Sequence, residues 1–299
     1  MFTLLLGTST ISAGIRLATP ILLAALGGAL TFHANILNVA MEGFMLISAF
    51  FAVVGSYYTG SPWIGLLLAI LSGALFSLLF GYLSINLKAN HIVVGWAINV
   101  ASWGTVAVLL QSFFGVRGAF FSEKIINFKN LEIPFIKSIP WVGGVISGYN
   151  IFTYTALILV VIFYIYLYYT KYGLRLRVTG EKIEAAQTAG VNVLSYFYFS
   201  VLMSGIMCGI AGASLPLSGL SMFTEEMSAG KGWIALAVVF FASGKPPLVL
   251  LASLLFGYAD SLGIRLEAFN IPSQIIYMVP YILTLLMLLS MAKKQKIIT

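Results

Sequence analysis

The sequence has little charge, one cysteine and two histidines, and each shortage excludes a class of protein. Only 8% of its 299 residues are Asp, Glu, Lys or Arg, whereas soluble globular domains carry roughly 25%. Cys208 is the only cysteine, so the sequence provides no disulfide framework and indicates no redox compartment. Two histidines without an H-E-x-x-H motif do not suggest a catalytic metal site. The sequence therefore predicts neither a soluble globular domain, nor a disulfide-stabilised domain, nor a metalloenzyme.

The sequence also lacks the short motifs of hydrolases and nucleotide-binding enzymes. It contains no G-x-S-x-G motif, and the glycines beside Lys231, in "SAGKGW", lack the spacing and the hydroxyl of a phosphate-binding loop. We therefore predict no catalytic residue, no metal and no cofactor in this chain. If ATP drives the protein, a separate subunit must bind and hydrolyse it. The net charge of +7 fits basic residues in the short loops of a membrane protein, and we predict no nucleic-acid partner.

Long apolar runs dominate the rest of the sequence. Hydrophobic residues make up 60% of the chain, the mean hydropathy is +1.01, and most uncharged runs approach the ~20 residues needed to cross a bilayer. Nine such runs lie at 15–31, 36–58, 62–87, 91–115, 150–169, 194–222, 231–243, 246–264 and 272–291. They predict an all-α transmembrane helical bundle of about nine spans, within a range of about 8–10, that forms one domain over residues 1–299. Gly and Pro interrupt several runs, which predicts broken helices.

Two hydrophilic segments predict how the spans are oriented. Residues 116–149 are long, mixed in charge and contain Pro and Gly, and we interpret them as an extracytoplasmic loop. Residues 170–193 carry four basic residues, and we interpret them as a cytoplasmic loop under the positive-inside rule. With nine spans, an even number follows this second loop. The C-terminal tail with Lys293, Lys294 and Lys296 is therefore expected on the cytoplasmic side as well.

One short segment, "NILNVAMEGFML", places Asn38 and Glu42 where a span otherwise begins. Residues four apart lie on one face of a helix, and a carboxylate inside a membrane is costly enough to need a reason. Two interpretations stay open: the pair satisfies backbone groups at a broken helix, or it lines a route for a polar solute. Tryptophans could stack on such a solute, although tryptophan also anchors helices at the membrane surface. The candidate pathway residues are Asn38, Glu42, Trp96, Asn99 and Trp233.

Two segments far apart in the sequence are similar to each other. Each has a Gly-Ala opening and a polar stretch, followed by a charged residue, a glycine and an aromatic residue before an apolar helix. In the first segment this triplet is Glu42-Gly43-Phe44, and in the second it is Lys231-Gly232-Trp233. In the expected topology the two helices run in opposite directions, which is typical of an inverted repeat bordering a transport route. Chance similarity between two apolar segments is the alternative.

The segment "VTGEKIEAAQTAGVNV" predicts a short helix outside the membrane. Thr179 or Gly180 would cap its start, and Gly190 would end it. Its small residues would form a face that presses into a groove on another protein, and an ordinary helix at the membrane surface is the alternative. The candidate docking residues are Glu181, Glu184, Ala185, Ala186, Ala189 and Gly190, flanked by Arg175 and Arg177.

Several motifs, taken in chain order, resemble one family of membrane proteins. The sequence "EAAQTAG" is similar to the E-A-A-x-x-x-G loop by which permease subunits of ABC importers dock onto their ATPases. "PILLAALGGAL", "NILNVAMEGFMLISAFFA" and "IPSQIIYMVPYILTLLML" resemble the branch for simple sugars, nucleosides and branched-chain amino acids, and the last is closest to its nucleoside-type members. The chain departs from that branch where Lys182-Ile183 replaces the usual Asn-Pro and where Phe32-His33-Ala34 replaces Ser-Glu-Arg.

This resemblance implies a permease with the fold of the cobalamin importer. It implies two permease subunits, the second a different chain or a copy of this one, in the bacterial cytoplasmic membrane. It further implies a cytoplasmic ABC ATPase subunit and an extracytoplasmic substrate-binding protein or lipoprotein. The function would be import of nucleosides or simple sugars by ATPase-driven alternating access. Three alternatives stay open. They are an ABC permease for branched-chain amino acids, an ion-gradient-driven transporter in which Glu42 and Asp260 titrate, and an intramembrane enzyme.

Overall fold

The computed structural model describes residues 7–131 and 147–266, which form a helical bundle with one short β-ribbon. The first half contains α1 (Thr8–His33), α2 (Met41–Thr59), α3 (Pro62–Gly81) with a π-helical continuation (Tyr82–Asn86), α4 (His91–Phe114) and β1 (Ala119–Phe121). The second half contains α5 (Ile151–Tyr169), α6 (Lys171–Glu181), α7 (Ile183–Thr188), α8 (Val193–Leu217), β2 (Met222–Thr224), α9 (Lys231–Phe241) and α10 (Pro246–Leu266).

Seven of the described helices are long and apolar enough to cross a membrane. They are α1, α2, α3 with its π-helical continuation, α4, α5, α8 and α10. The predicted run at 231–243 forms only the 11-residue helix α9, which is about 16 Å long and too short to cross alone. The predicted run at 272–291 lies outside the described residues. The chain is a multi-pass membrane protein.

The helices differ in how much of their surface the chain itself covers. In the most apolar 18-residue windows of α1 and α2, 78% and 83% of the residues are buried inside the protein. The corresponding share is 33% in both α4 and α5, whose exposed residues are mostly apolar. Such faces suit lipid or another membrane helix. α1 and α2 therefore form the centre of the bundle.

Close packing around this centre depends on small residues. Where α8 crosses α3, Gly205 lies against Gly73 and Ser77, and a Cβ on Gly205 would collide with the Ser77 side chain and the Gly73 carbonyl. Small residues let membrane helices approach closely when the hydrophobic effect cannot drive their association. The glycines in these apolar runs therefore serve helix packing here as well as helix interruption.

Two interruptions break the helical spans. Residues 34–40 separate α1 from α2, and residues 218–230 separate α8 from α9. The second interruption contains β2, which pairs antiparallel with β1 in the register Ala119–Thr224. The predicted broken helices are thus present; the first turn of α2 is fully buried, and that of α9 is half-buried.

The two hydrophilic segments lie at opposite ends of the bundle. Asn150, which precedes α5, donates a hydrogen bond from Nδ2 to the Phe128 carbonyl at 2.9 Å. This contact holds the start of α5 at the end that carries the β-ribbon. The other end of α5 leads through Thr170 into α6 and α7. We call these the ribbon end and the α6–α7 end; residues 132–146 of the first segment lie outside the described residues.

Candidate functional site

The first turns of α2 and α9 meet inside the bundle, and Glu42 joins them. Its Oε1 accepts a hydrogen bond from the Gly230 amide at 2.9 Å, and its Oε2 accepts one from the Gly232 amide at 2.7 Å. These amides belong to the start of α9, where backbone N–H groups have no helical acceptor and the helix dipole favours a negative charge. Glu42 is 3% exposed. The carboxylate therefore caps α9 across the interior of the protein.

Asn99 serves the start of α2 in the same way. Its Oδ1 accepts a hydrogen bond from the Gly43 amide at 2.8 Å, and its Nδ2 donates one to the Val39 carbonyl at 3.0 Å. The side chain is fully buried in α4. One amide group thus satisfies a donor and an acceptor that the interruption before α2 leaves free.

Asn38 fixes the interruption itself. Its Oδ1 accepts a hydrogen bond from the Ala40 amide at 3.1 Å, which is the local turn typical of asparagine. Its Nδ2 donates to Ser204 Oγ of α8 at 2.9 Å. We refer to Asn38, Glu42 and Asn99 together as the clasp. All three clasp residues satisfy backbone groups at broken helices. One of the two interpretations of the sequence predicted this for Asn38 and Glu42, and a direct role in a pathway stays a prediction.

Trp96 and Trp233 lie beside the clasp and pair with each other. Their ring centroids are 5.1 Å apart and their planes are inclined by 42°. Trp96 is 49% exposed, so one face of the pair is not covered by the chain. The structure therefore brings the five candidate pathway residues into one neighbourhood. It separates them into three buried polar side chains and two partly exposed aromatic ones.

The two similar segments that suggested an inverted repeat meet at this clasp. From it, α2 leads to the ribbon end, where Ser56 Oγ donates to the Ile126 carbonyl at 2.8 Å. In contrast, α9 leads to the α6–α7 end, where His33 Nε2 lies 3.1 Å from the Gly244 carbonyl oxygen. The two helices thus run from a common point toward opposite ends, and the inverted repeat itself stays a prediction.

The predicted docking segment forms two helices, and its caps differ from the expectation. α6 continues through Thr179 and Gly180 to Glu181, so neither residue begins the short helix, and Lys182 with extended backbone separates α6 from α7. Within α6, Gly180 packs so closely against the end of α1 that a Cβ would collide with the His33 carbonyl.

The exit of the docking segment is as the sequence predicted. Gly190 has a φ of +74°, a left-handed conformation that suits glycine. Its amide donates to the Gln187 carbonyl at 2.9 Å, and the Val191 amide donates to the Ala186 carbonyl at 3.0 Å. This pair of hydrogen bonds is the Schellman arrangement at a helix C-terminus.

The small residues of α7 do not share one exposed face. Ala186 is 0% exposed and packs against the rest of the chain, so it does not belong to a surface that another protein could touch. Ala185 and Ala189 are exposed, as are Glu181, Glu184 and Gly190. The expectation of a continuous face over Ala185, Ala186 and Ala189 is therefore wrong for Ala186, because α7 uses this position to pack on the bundle.

Sequence patterns did not reveal several residues that position the site. Ser204 anchors Asn38, His33 lies between α9 and α6, and Gly180 lets α6 approach α1. The one local signal was the glycine in "VTGEK", because glycine can mark a close approach of two backbones as well as a helix cap. The other contacts join residues far apart in the chain.

Comparison with known proteins identifies the class of this chain. Residues 10–288 match the family described as "Branched-chain amino acid transport system / permease component". Two solved structures share the fold. An inward-facing ABC transporter, described as putatively of the metal-chelate type, has a TM-score of 0.55 and 17% identity, and the match covers 97% of both chains. PsaBC from Streptococcus pneumoniae has a TM-score of 0.50 and 15% identity, and the match covers 91% of this chain and 89% of that one. The chain belongs to this family of ABC transporter permease components.

Several of its relatives are named permeases as well. The nucleoside ABC transporter permease NupC of Lactococcus lactis subsp. cremoris is 33% identical over 282 residues, or 91% of this chain and 88% of the relative. The guanosine permease NupQ of Bacillus subtilis is 34% identical, covering 93% and 90%. The glucose permease TsgB13 of Haloferax volcanii is 23% identical, covering 91% and 74%. The relatives are permease components and not enzymes, and the resemblance stated from the motifs is confirmed.

Proposed function

We propose that this chain is the membrane-spanning subunit of an ABC importer that moves nucleosides across the bacterial cytoplasmic membrane by ATPase-driven alternating access. The observation that carries the proposal is the nearly full-length similarity to the guanosine permease, over 290 residues. In this proposal a separate cytoplasmic subunit binds ATP and Mg²⁺, and an extracytoplasmic binding protein delivers the solute at the ribbon end. A second permease subunit, a different chain or a copy, completes the pathway.

The α6–α7 end is the proposed docking site for the ATPase. Exposed Glu181, Glu184, Ala185, Ala189 and Gly190 would enter a groove of the ATPase, and α6 would carry its movement into the bundle. The contact between Gly180 and the His33 carbonyl supports this route, because it joins α6 to the end of α1. The interruption at residues 34–40 and the clasp follow directly along the chain. The α6–α7 end and the C-terminal tail would then be cytoplasmic.

The exposed face of Trp96 and Trp233 is the proposed solute-facing surface. Aromatic side chains stack on nucleobases without requiring one particular base. The clasp beside this pair would keep the broken helices in shape while the surrounding helices move. In an intact transporter the second permease subunit would lie opposite the two tryptophans and close the pathway from that side.

Reconstitution of the complete transporter in proteoliposomes tests the proposal. We expect uptake of labelled guanosine to require ATP and the ATPase and to persist when an ionophore collapses the ion gradients. Uptake that stopped with the ionophore while ATP remained would favour an ion-gradient-driven transporter.

A simple sugar is the second candidate solute, because TsgB13 is named as a glucose permease. Competition distinguishes the candidates in the same assay. Excess unlabelled inosine or adenosine should reduce guanosine uptake, whereas glucose, ribose and leucine should leave it unchanged. Competition by ribose or glucose alone would assign the transporter to sugars, and competition by leucine would assign it to branched-chain amino acids.

A further inference from the structure

A cavity of about 500 Å³ opens at the α6–α7 end and reaches inward to the clasp. Its walls come from the end of α1, the interruption at residues 34–40, the start of α4, α6 and α9. Exposed Asn35 and Glu181 lie at its mouth, and buried Asn38 and Met41 lie at its inner end. One cavity therefore touches both the proposed docking helix α6 and the residues that hold the broken helices.

The apolar wall of this cavity suits a flat ring. Phe32 and Phe240 both line it and pack edge to face, with ring centroids 5.8 Å apart and an interplanar angle of 87°. Leu236 and Val239 of α9 extend the same wall. Aromatic and aliphatic walls with a few polar groups are typical of sites for small organic molecules.

The opposite side of the cavity carries polar atoms that lack hydrogen bonds within the described part of the chain. Arg177 Nε and His91 Nδ1 are both buried and have no hydrogen-bond partner among the described residues. Both atoms are covered by protein, so a molecule in the cavity would meet the other nitrogens of these two side chains, which line it. Arg177 and Glu181 line the cavity together with opposite charges, which favours a ligand without net charge.

We propose that this cavity binds an uncharged nucleoside from the cytoplasm and that its occupancy slows import. The ligand class rests on the proposed function; the site does not overlap the Trp96–Trp233 surface. The base would lie against Phe32 and Phe240, and a terminal nitrogen of the Arg177 guanidinium would donate a hydrogen bond to a base or ribose oxygen. Asn35 at the mouth would hydrogen-bond to the ribose.

Regulation follows from the position of the cavity. A molecule that contacts both α6 and residues 34–40 stabilises the distance between them. If the ATP-driven movement of α6 changes that distance, the bound molecule favours the resting arrangement and opposes the movement by the difference in its affinity for the two states. Imported nucleoside that accumulates in the cytoplasm would then reduce further import.

The test uses the complete transporter in proteoliposomes, with unlabelled guanosine added on the ATPase side. We expect the initial rate of labelled guanosine transport and the ATPase rate to fall together as this guanosine increases. Arg177→Gln should raise the half-inhibitory concentration by about tenfold, because it removes a charged hydrogen-bond donor. Arg175→Gln is the matched control: Arg175 is exposed on the same helix, does not line the cavity, and should leave the inhibition curve unchanged.

A second variant covers the case in which Arg177→Gln does not assemble. Leu236→Phe adds volume to the cavity wall and should weaken the inhibition as well.

The possible outcomes separate this inference from the proposed function. ATP-dependent transport without inhibition from the ATPase side would overturn this inference and leave the proposed function intact. Absence of ATP-dependent nucleoside transport would overturn the proposed function. Stronger inhibition by guanosine monophosphate than by guanosine would contradict an uncharged ligand. Equal shifts with Arg175→Gln and Arg177→Gln would contradict the cavity as the site.

Discussion

At the scale of single residues, Glu42 shows how a carboxylate is tolerated inside a membrane protein. A charged group in the bilayer is costly unless protein groups replace its hydration. Here two backbone amides replace water, and they belong to a helix start that itself lacks acceptors. Removing either partner would leave the other unsatisfied. The energetic role of Glu42 is therefore inseparable from the broken helix that it caps.

Glu42→Gln should lower the stability of the purified permease. The substitution places an amide NH₂ group opposite a backbone N–H donor and removes the charge that the start of α9 favours, at an expected cost of about 1–3 kcal/mol. Thermal unfolding in detergent measures the effect. Glu184→Gln on exposed α7 is the matched control and should unfold at the wild-type temperature. Equal unfolding temperatures for wild type and Glu42→Gln would show that the cap does not stabilise the fold.

At the scale of elements, α7 has one buried and several exposed positions, which determines how its variants should behave. Ala186 faces the bundle, so a large charged side chain there would have to displace packed residues. Ala185 is exposed on the neighbouring position and can accept a larger side chain without disturbing the bundle. The two alanines therefore separate docking from folding.

Ala185→Arg should abolish co-purification of the ATPase while the permease reaches the membrane at its normal level. Ala186→Arg should instead reduce the amount of folded permease, because it buries a charge without a partner. Quantitative blots of membrane fractions together with pull-down of the ATPase measure both quantities. The docking proposal fails if the ATPase co-purifies with Ala185→Arg at the wild-type ratio.

The sequence alone predicts which segments form helices better than it predicts where each helix begins and ends. Of the nine predicted runs, seven form helices long and apolar enough to cross a membrane, because length and hydropathy are local properties. The run at 231–243 forms only the short helix α9, and the run at 272–291 lies outside the described residues. The left-handed conformation of Gly190 could likewise be predicted from its position after a short helix. The close packing of Gly180 against the end of α1 could not, because the two segments are far apart in the sequence.

At the scale of the whole molecule, the site combines residues whose meeting no local pattern predicts. The chemical reason to suspect Asn38 and Glu42 was present in the sequence, because polar groups in apolar runs need partners. The identity of those partners was not, since Gly230 is 188 residues away from Glu42. That both residues satisfy backbone groups at broken helices became visible only once the interruptions were located in space.

The uncovered face of Trp96 should matter for transport and not for folding. In the reconstituted transporter, Trp96→Ala should reduce nucleoside uptake about tenfold, since stacking on a base contributes about 1–3 kcal/mol, and Trp96→Phe should retain part of the rate. Trp63→Ala is the control, because Trp63 is similarly exposed at the start of α3 but packs on Phe128 near the ribbon end. Equal losses with Trp63→Ala and Trp96→Ala would indicate a general effect of exposed tryptophans.

The bond from Glu42 to the start of α9 also has a consequence for how the chain is made. A ribosome adds about 5–20 residues per second, so roughly ten seconds or more separate the synthesis of Glu42 from that of Gly230, 188 residues later. During this interval the nascent chain holds a carboxylate without its final donors, and α2 cannot settle in lipid at its final depth without a large cost. We therefore expect α2 to stay in a hydrated or protein-shielded position until the second half of the protein emerges.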